Sequence, residues 1–207
     1  MSEFKALDRL FEYWQNHYRG QGSRAYAIPT GGSNGVGMWG YIAAAEELGN
    51  DFTRAGICPQ AIVHATGSGG TQAGLTLGCH VHKIETSVKA YAVCDDIAYF
   101  QHKVLADLQD WQARYPSQID INSLAIDTCD DYVGPAYGKA GPEIFALIKQ
   151  VAAMEGLLLD PVYTGKAFYG MCEDIKKGKY SQQEGDIVFL HTGGLFGLFA
   201  QQQYLGY

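Results

Sequence analysis

Long apolar runs are missing from this chain of 207 residues, so no segment reads as a membrane span. The N-terminal stretch sets Glu3, Lys5, Asp8 and Arg9 among its apolar residues and has no signal-peptide core; a cytoplasmic protein is expected. Positive charge is also scarce: 15 Lys and Arg against 22 Asp and Glu leave a net charge of −7. That balance argues against nucleic acid or an anionic membrane as a partner, and any phosphate must be held by local geometry rather than by a general positive field. The five cysteines (Cys58, Cys79, Cys94, Cys129, Cys172) form no C-x-x-C pair and are odd in number, which favours reduced, mostly buried thiols over disulfides or zinc. His80 and His82 stand two apart, a spacing that does not face one ligand on a helix, and no carboxylate or cysteine at metal-site spacing joins them. They read as surface or packing residues, and no metal is expected. Repeats, low-complexity tracts and a clear linker are absent too.

Apolar material, by contrast, is ample. At 47% apolar and 18% charged residues the chain can bury a core, and its length suits one domain or one domain with an appended element. The most informative stretch runs from Ala61 to Gly74, AIVHATGSGGTQAG. A short β-leaning run containing Ile62 and Val63 enters a loop of Gly67, Ser68, Gly69, Gly70 and Thr71, and a helix-compatible segment from Gln72 to His82 leaves it. Strand, Gly-rich loop, helix is an order that can cradle a phosphate: glycines admit the anion to the backbone, N–H groups point at it, and the helix N-terminus adds its positive dipole end. The loop has no lysine and so is not a Walker loop, and its spacing is not the dinucleotide G-x-G-x-x-G. Taken alone, it serves equally as a plain connection.

Periodicity orders the rest. Phe4, Leu7, Phe11, Trp14 and Tyr18 fall on one face of a helix over 3–19. Tyr26 to Ile28 reads as a short strand ending at Pro29; Thr30 to Gly37 is a second Gly-rich turn, and Met38 to Leu48 is helical. Strands are expected at Val88–Val93, Ser123–Asp127 and Asp186–Leu190, and helices at Ile97–Arg114, Gly165–Lys177 and from Pro142 to Met154 with Gly156 just past the end. The turn 191–194 then leads into a last apolar segment, Leu195 to Ala200. Alternating strands and helices with apolar strands predict an α/β fold: a parallel sheet with helices on both faces. Three Gly-rich loops, 30–37, 66–71 and 191–194, then lie at carboxyl ends of strands, the edge where open α/β sheets bind ligands.

Five motifs in register go further. Ile28-Pro-Thr-Gly-Gly-Ser-Asn34, the loop Gly67–Gly74, Asp131-Tyr-Val-Gly-Pro-Ala-Tyr-Gly138, the run Glu155–Ala167 with its Asp-Pro-Val-Tyr-Thr-Gly-Lys-Ala, and Leu190-His-Thr-Gly-Gly194 occur in this order. From about Tyr26 to Ala200 the chain closely resembles the C-terminal part of the 1-aminocyclopropane-1-carboxylate deaminase and D-cysteine desulfhydrase family. Those are pyridoxal 5'-phosphate enzymes of the tryptophan-synthase-β-like fold. The resemblance implies that residues 1–25 correspond to the end of a small domain and 26–207 to the C-terminal part of the large, cofactor-binding domain, with an N-terminal part missing.

Carried over by position, the resemblance implies that Gly67, Ser68, Gly69, Gly70 and Thr71 hold the cofactor phosphate and that Tyr137 and Tyr163 are the catalytic candidates on the substrate side. Thr164 and Thr192 stand at the two cofactor-facing positions that separate the family's activities. Deaminases resembling this chain carry Glu and Leu there; desulfhydrases carry small hydroxyl residues. Threonine at both implies a carbon–sulfur lyase of D-cysteine desulfhydrase type, which removes the Cα proton, eliminates the β-substituent and yields pyruvate, ammonia and sulfide from D-cysteine or a related β-substituted amino acid. The family's Gly-Asn-Lys motif, which carries its Schiff-base lysine, is not found in this sequence. Lys166, the lysine nearest a site motif, reads as a helix-start residue, solvated or paired with a carboxylate. A catalytically silent binder of the cofactor or of phosphate, a partner subunit, and the cyclopropane deaminase remain as alternatives. The expected partners are a small amino-acid substrate and either a second copy or a complementary N-terminal polypeptide that covers the incomplete sheet.

Overall fold

The structure is a computed structural model that describes residues 6–181 and 185–206. It divides into two compact units, Met1–Gly32 and Ser33–Tyr207. In the first, helix α1 (Leu7–Gly20) follows the expected periodicity from Leu7 onward; the start placed at residue 3 lies outside the described residues. The strand expected at Tyr26–Ile28 does not form. Tyr26 and Ile28 are 67% and 69% exposed in irregular backbone, where an apolar alternation of three residues has no sheet face to bury.

The second unit holds a four-stranded parallel sheet in the order β3-β2-β1-β4, made of β1 (Ala61–Thr66), β2 (Ser87–Ala92), β3 (Asp127–Cys129) and β4 (Ile187–Phe189). Every residue of β1 is buried, as expected of a central strand covered on both faces. Its alternate residues sort by face. Ile62 packs with Leu75, Cys79 and Val88 beneath α2 (Trp39–Ala55) and α3 (Gly70–Val81). Ala61, Val63 and Ala65 pack with Tyr91, Ala167 and Met171 beneath α6 (Thr164–Lys176). Helix α4 (Ile97–Arg114) joins the first layer through Val104, Leu108 and Trp111, and α5 (Pro142–Glu155) flanks α6. The short α7 (Leu195–Phe199) closes the chain's last apolar segment.

Two boundaries differ from the sequence reading for identifiable reasons. The strand expected at Ser123–Asp127 begins only at Asp127. Before it, the Asp120 carboxylate accepts from the Asn122 N–H (3.1 Å) and the Ser123 hydroxyl donates to the Asp120 carbonyl (2.7 Å), which winds 121–123 into a 3-10 turn. Leu124 and Ile126 pack on the helical layer around Trp111, not into the sheet. Helix α2 runs past Leu48 to Ala55, where Gly56 takes the left-handed conformation (φ 68°) that ends it.

Helix α3 packs unusually close to α2. Its glycines recur every fourth residue, and a Cβ would fall 2.5 Å from the Tyr41 Cβ at Gly74 and 2.6 Å from the Ala45 Cβ at Gly78. Glycine at these places is what lets α2 lie against the helix that begins at the Gly-rich loop.

Candidate functional site

Because all four strands are parallel, the segments that follow them meet at one edge of the sheet. The loop Gly67–Gly69 leaves β1, and 190–194 leaves the adjacent β4. Residues 93–96 leave β2, and the long turn 130–141 leaves β3. The third expected loop, 30–37, follows no strand, yet its Ser33 reaches the same place.

Ser33 is buried and organises the Gly-rich loop. Its hydroxyl accepts from the Gly70 N–H at 3.1 Å and donates to the Ser68 hydroxyl at 2.8 Å. The chain of donation runs outward, so the Ser68 hydrogen is left to give to an incoming acceptor. A Cβ at Gly70 would meet the Ser33 hydroxyl at 2.5 Å, and Gly69 has the left-handed φ of 87°. Helix α3 starts at Gly70, and its first turn supplies no internal acceptor for the Thr71 and Gln72 amides. Ser68 and Thr71 are half-buried at the rim, while the Gln72 side chain turns into the protein to bond the Asp127 carbonyl (3.0 Å) and the Thr128 hydroxyl (2.9 Å). Among the described residues, Lys103 of α4 is the cation set against Gly69. It is paired with Asp107 at 2.6 Å and also donates to the Ser33 carbonyl at 3.3 Å. The loop's outward donors are therefore neutral.

The wall opposite is made by the start of α6. Tyr163 presses its ring on Gly67, where a Cβ would lie 3.1 Å from the ring edge. Its hydroxyl bonds directly to the Tyr137 hydroxyl, with the rings edge-to-face and centroids 5.9 Å apart. Burial, followed by the contact with Tyr137, holds the Tyr163 phenol well above the ordinary tyrosine range, so it is protonated at neutral pH. Cys94, half-buried and donating weakly to the Gly67 carbonyl (3.6 Å), is pushed up to about 12 by burial and is no thiolate nucleophile at neutral pH.

Asp160 is the residue that the sequence reading quoted without giving it a role. Fully buried, it takes N–H bonds from Val162 (2.7 Å), Tyr163 (2.9 Å) and Thr164 (2.7 Å), and the Thr164 hydroxyl at 2.8 Å. A Cβ at Gly194 would collide with the same carboxylate, so the 191–194 turn lies directly on it. Asp followed by Pro161 ahead of a helical run was the available signal: a carboxylate on the orphan amides of a helix start.

The two threonines consequently differ. Thr164 is fully buried, its hydroxyl giving to Asp160 and accepting from the Asp160 N–H at 2.9 Å. Thr192 is exposed on the turn after β4, next to the β1 loop in the sheet. Lys166 corrects the sequence reading outright. Neither solvated nor paired with a carboxylate, it is 1% exposed and gives its ammonium hydrogens to the carbonyls of Val133 (2.7 Å), Ala136 (3.0 Å) and Val93 (3.4 Å). Its position on α6 turns the side chain inward, onto the loops that follow β2 and β3. Burial lowers its pKa.

A family model described as pyridoxal-phosphate dependent enzyme matches residues 7–193. The chain belongs to this pyridoxal-phosphate dependent family. Among its relatives, the bifunctional D-cysteine desulfhydrase/1-aminocyclopropane-1-carboxylate deaminase, mitochondrial, of Arabidopsis thaliana is 39% identical over 86% of this chain and 44% of its own length. A D-cysteine desulfhydrase of Serratia proteamaculans is 36% identical over 87% of this chain and 53% of its own. A crystal structure described as that of an ACC deaminase homologue superposes with a TM-score of 0.85 at 32% identity, covering 97% of this chain and 58% of the other. The pyridoxal-phosphate family member described here thus spans about half the length of the curated relatives it matches. The α/β architecture with its parallel sheet and the dependence on pyridoxal 5'-phosphate both agree with the reading of the sequence. The cradle at 67–71 fits a phosphate: it is closed to side chains, donor-lined and set on a helix start.

Proposed function

We propose that the chain belongs to a carbon–sulfur lyase of D-cysteine desulfhydrase type, and that the loop 67–71 anchors the phosphate of its cofactor. The observation that carries the reading is the outward chain of donation from Gly70 through Ser33 to Ser68, at a loop where a side chain at Gly70 would overlap Ser33 and one at Gly67 would crowd the Tyr163 ring. Bound pyridoxal phosphate supplies the electron sink that makes a Cα proton removable. Ser68, Thr71 and the first amides of α3 hold the phosphate. Tyr163 and Tyr137 share one hydrogen between their hydroxyls, which leaves one to donate to a substrate carboxylate or a departing sulfur; the protonated Tyr163 acts as donor rather than base. Exposed Thr192 offers the ring a neutral hydroxyl, while Thr164 is occupied with Asp160 and supports the site from behind. A neutral partner gives a weaker sink than a carboxylate, and this suits a reaction in which a β-thiolate carries charge away. Thr192 thus supports β-elimination over opening a cyclopropane.

A second reading has an observation of its own. Lys103 and Lys166, both beside these loops, are committed to Asp107 and to three carbonyls. That favours a chain which binds the cofactor by its phosphate, without a covalent link, unless a second polypeptide contributes. Titration with pyridoxal phosphate, competed by inorganic phosphate, tests the anchor: saturable, phosphate-sensitive binding that Ser68→Ala weakens about tenfold is expected, and phosphate-insensitive binding refutes it. Borohydride treatment then separates the readings, because a trapped lysine adduct removes the silent binder. Sulfide and pyruvate from D-cysteine, assayed against 2-oxobutanoate from the cyclopropane substrate, decide the reaction.

A further inference from the structure

Lys166 has a chemical setting that none of the roles above explains. A buried ammonium normally faces a carboxylate; among the described residues this one makes no ion pair. Its three hydrogens go to three main-chain oxygens drawn from two separate loops, Val93 after β2 and Val133 and Ala136 after β3. Satisfying all three is what makes the charge tolerable away from water. Between the two carbonyls of the second loop stands Gly134 with a φ of 75°; a Cβ there would lie 3.9 Å from the Lys166 Cε, so the backbone is wrapped on the lysine's end. The residue after Ala136 is Tyr137, and the residue three before Lys166, at the N-cap of its helix, is Tyr163. One side chain therefore connects the backbones that carry both members of the hydroxyl pair.

We propose that Lys166 is a positioning residue, a tethered cation that fixes the 133–137 turn against α6 and so holds Tyr137 on Tyr163. The inference rests on the reading that these tyrosines line the substrate side. The ammonium acts here as an ion would, by collecting carbonyl dipoles, and the charge with its N–H hydrogens is the working part; the methylene stem only delivers it. A hollow of about 300 Å³ bordered by Gly134, Gly141, Ile144, Lys166 and Glu173 reaches the same place, which gives a small external cation a route in.

The test is chemical rescue read on the tyrosines, with no cofactor or substrate present. Wild-type chain and Lys166→Ala are nitrated with tetranitromethane and the labelled tyrosines mapped by mass spectrometry. Lys166→Ala is expected to raise labelling of Tyr163 about tenfold. Ammonium or methylammonium chloride at 100 mM should return it to within twofold of wild type, whereas tetramethylammonium chloride, which has no N–H, should not. Equal labelling in variant and wild type overturns the proposal, as does equal rescue by all three salts. Where the alanine variant does not fold, Lys166→Gln keeps two N–H donors and nearly the stem length; a folded Gln variant labelled at the wild-type rate shows the cation to be dispensable and overturns the proposal, and a rise of severalfold supports it. Because labelling is scored without pyridoxal phosphate, a failure of the cofactor reading appears in the phosphate-competed titration and a failure of this one in the nitration pattern.

Discussion

His64 shows how a single residue can set the acid tolerance of the whole sheet. It lies on the central strand with no exposed surface, its Nδ1 on the Ala65 carbonyl at 2.9 Å and its Nε2 without a hydrogen-bond partner among the described residues. Burial pushes its pKa down to about 4 from 6.5, so the unfolded chain binds the proton first as pH falls. The stabilisation is complete above pH 6.5 and is lost between about 6.5 and about 4, amounting to about 3 kcal/mol. Urea denaturation across that window should show the decline in wild type and a flatter profile in His64→Leu; parallel profiles would assign acid sensitivity elsewhere. Asp160 invites a second substitution. Asn keeps one acceptor oxygen where the carboxylate serves four donors, so Asp160→Asn should cost about 2–4 kcal/mol in chemical denaturation, by stranding buried N–H groups. At this scale the sequence was readable where a residue type has one use, as with the glycines of 67–70. It was unreadable where distant chain segments decide. Nothing near Lys166 in sequence announces that its acceptors lie at 93, 133 and 136, and nothing near Ser33 announces Gly70.

Among the elements, α3 carries the sharpest local conflict. Alanine is the better helix former by about 1 kcal/mol, yet at Gly74 an added methyl would meet the Tyr41 Cβ at 2.5 Å and the Met38 carbonyl at 2.9 Å. Overpacking should win: Gly74→Ala is expected to lower stability by about 1–3 kcal/mol, seen as a reduced melting temperature, and an unchanged or raised value would mean that α2 yields easily. The elements most legible in the sequence are those with a strong period and a cap. Helix α4 begins after Asp96, whose carboxylate accepts the Tyr99 N–H at 2.8 Å, and α5 begins at Pro142 and ends at Gly156. The segments misread were short: 26–28 and 123–127 hold too few residues for alternation to outweigh local side-chain bonds or missing neighbours. The order of motifs conveyed which loops come together, because parallel strands bring successive loops to one edge. Which hydroxyl points outward was not contained in it, and Thr164 and Thr192 part ways through Asp160 alone.

For the molecule as a whole, charge and exposed apolar surface set behaviour in solution. Helix α1 buries none of its residues, and Tyr13, Trp14 and Tyr18 on it are 60%, 49% and 43% exposed. Net charge is what opposes association of such surfaces, and it vanishes near the isoelectric point of about 5.3. Light scattering of the purified chain should therefore rise steeply as pH is lowered toward that value and fall again in 0.5 M arginine. Scattering that is flat from pH 8 to 5 would show these aromatic faces to be innocuous.

The donation chain from Gly70 through Ser33 to Ser68 is also a filter for the sign of charge. At its inner end the Gly70 N–H gives to the Ser33 hydroxyl, which in turn gives to Ser68. An anion at the loop finds the Ser68 hydrogen and the first amides of α3 ready to give, and those amides can only give, so they offer a cation nothing. Selectivity of this kind survives changes in salt, since it depends on which way a hydrogen points rather than on the field of the −7 chain around it.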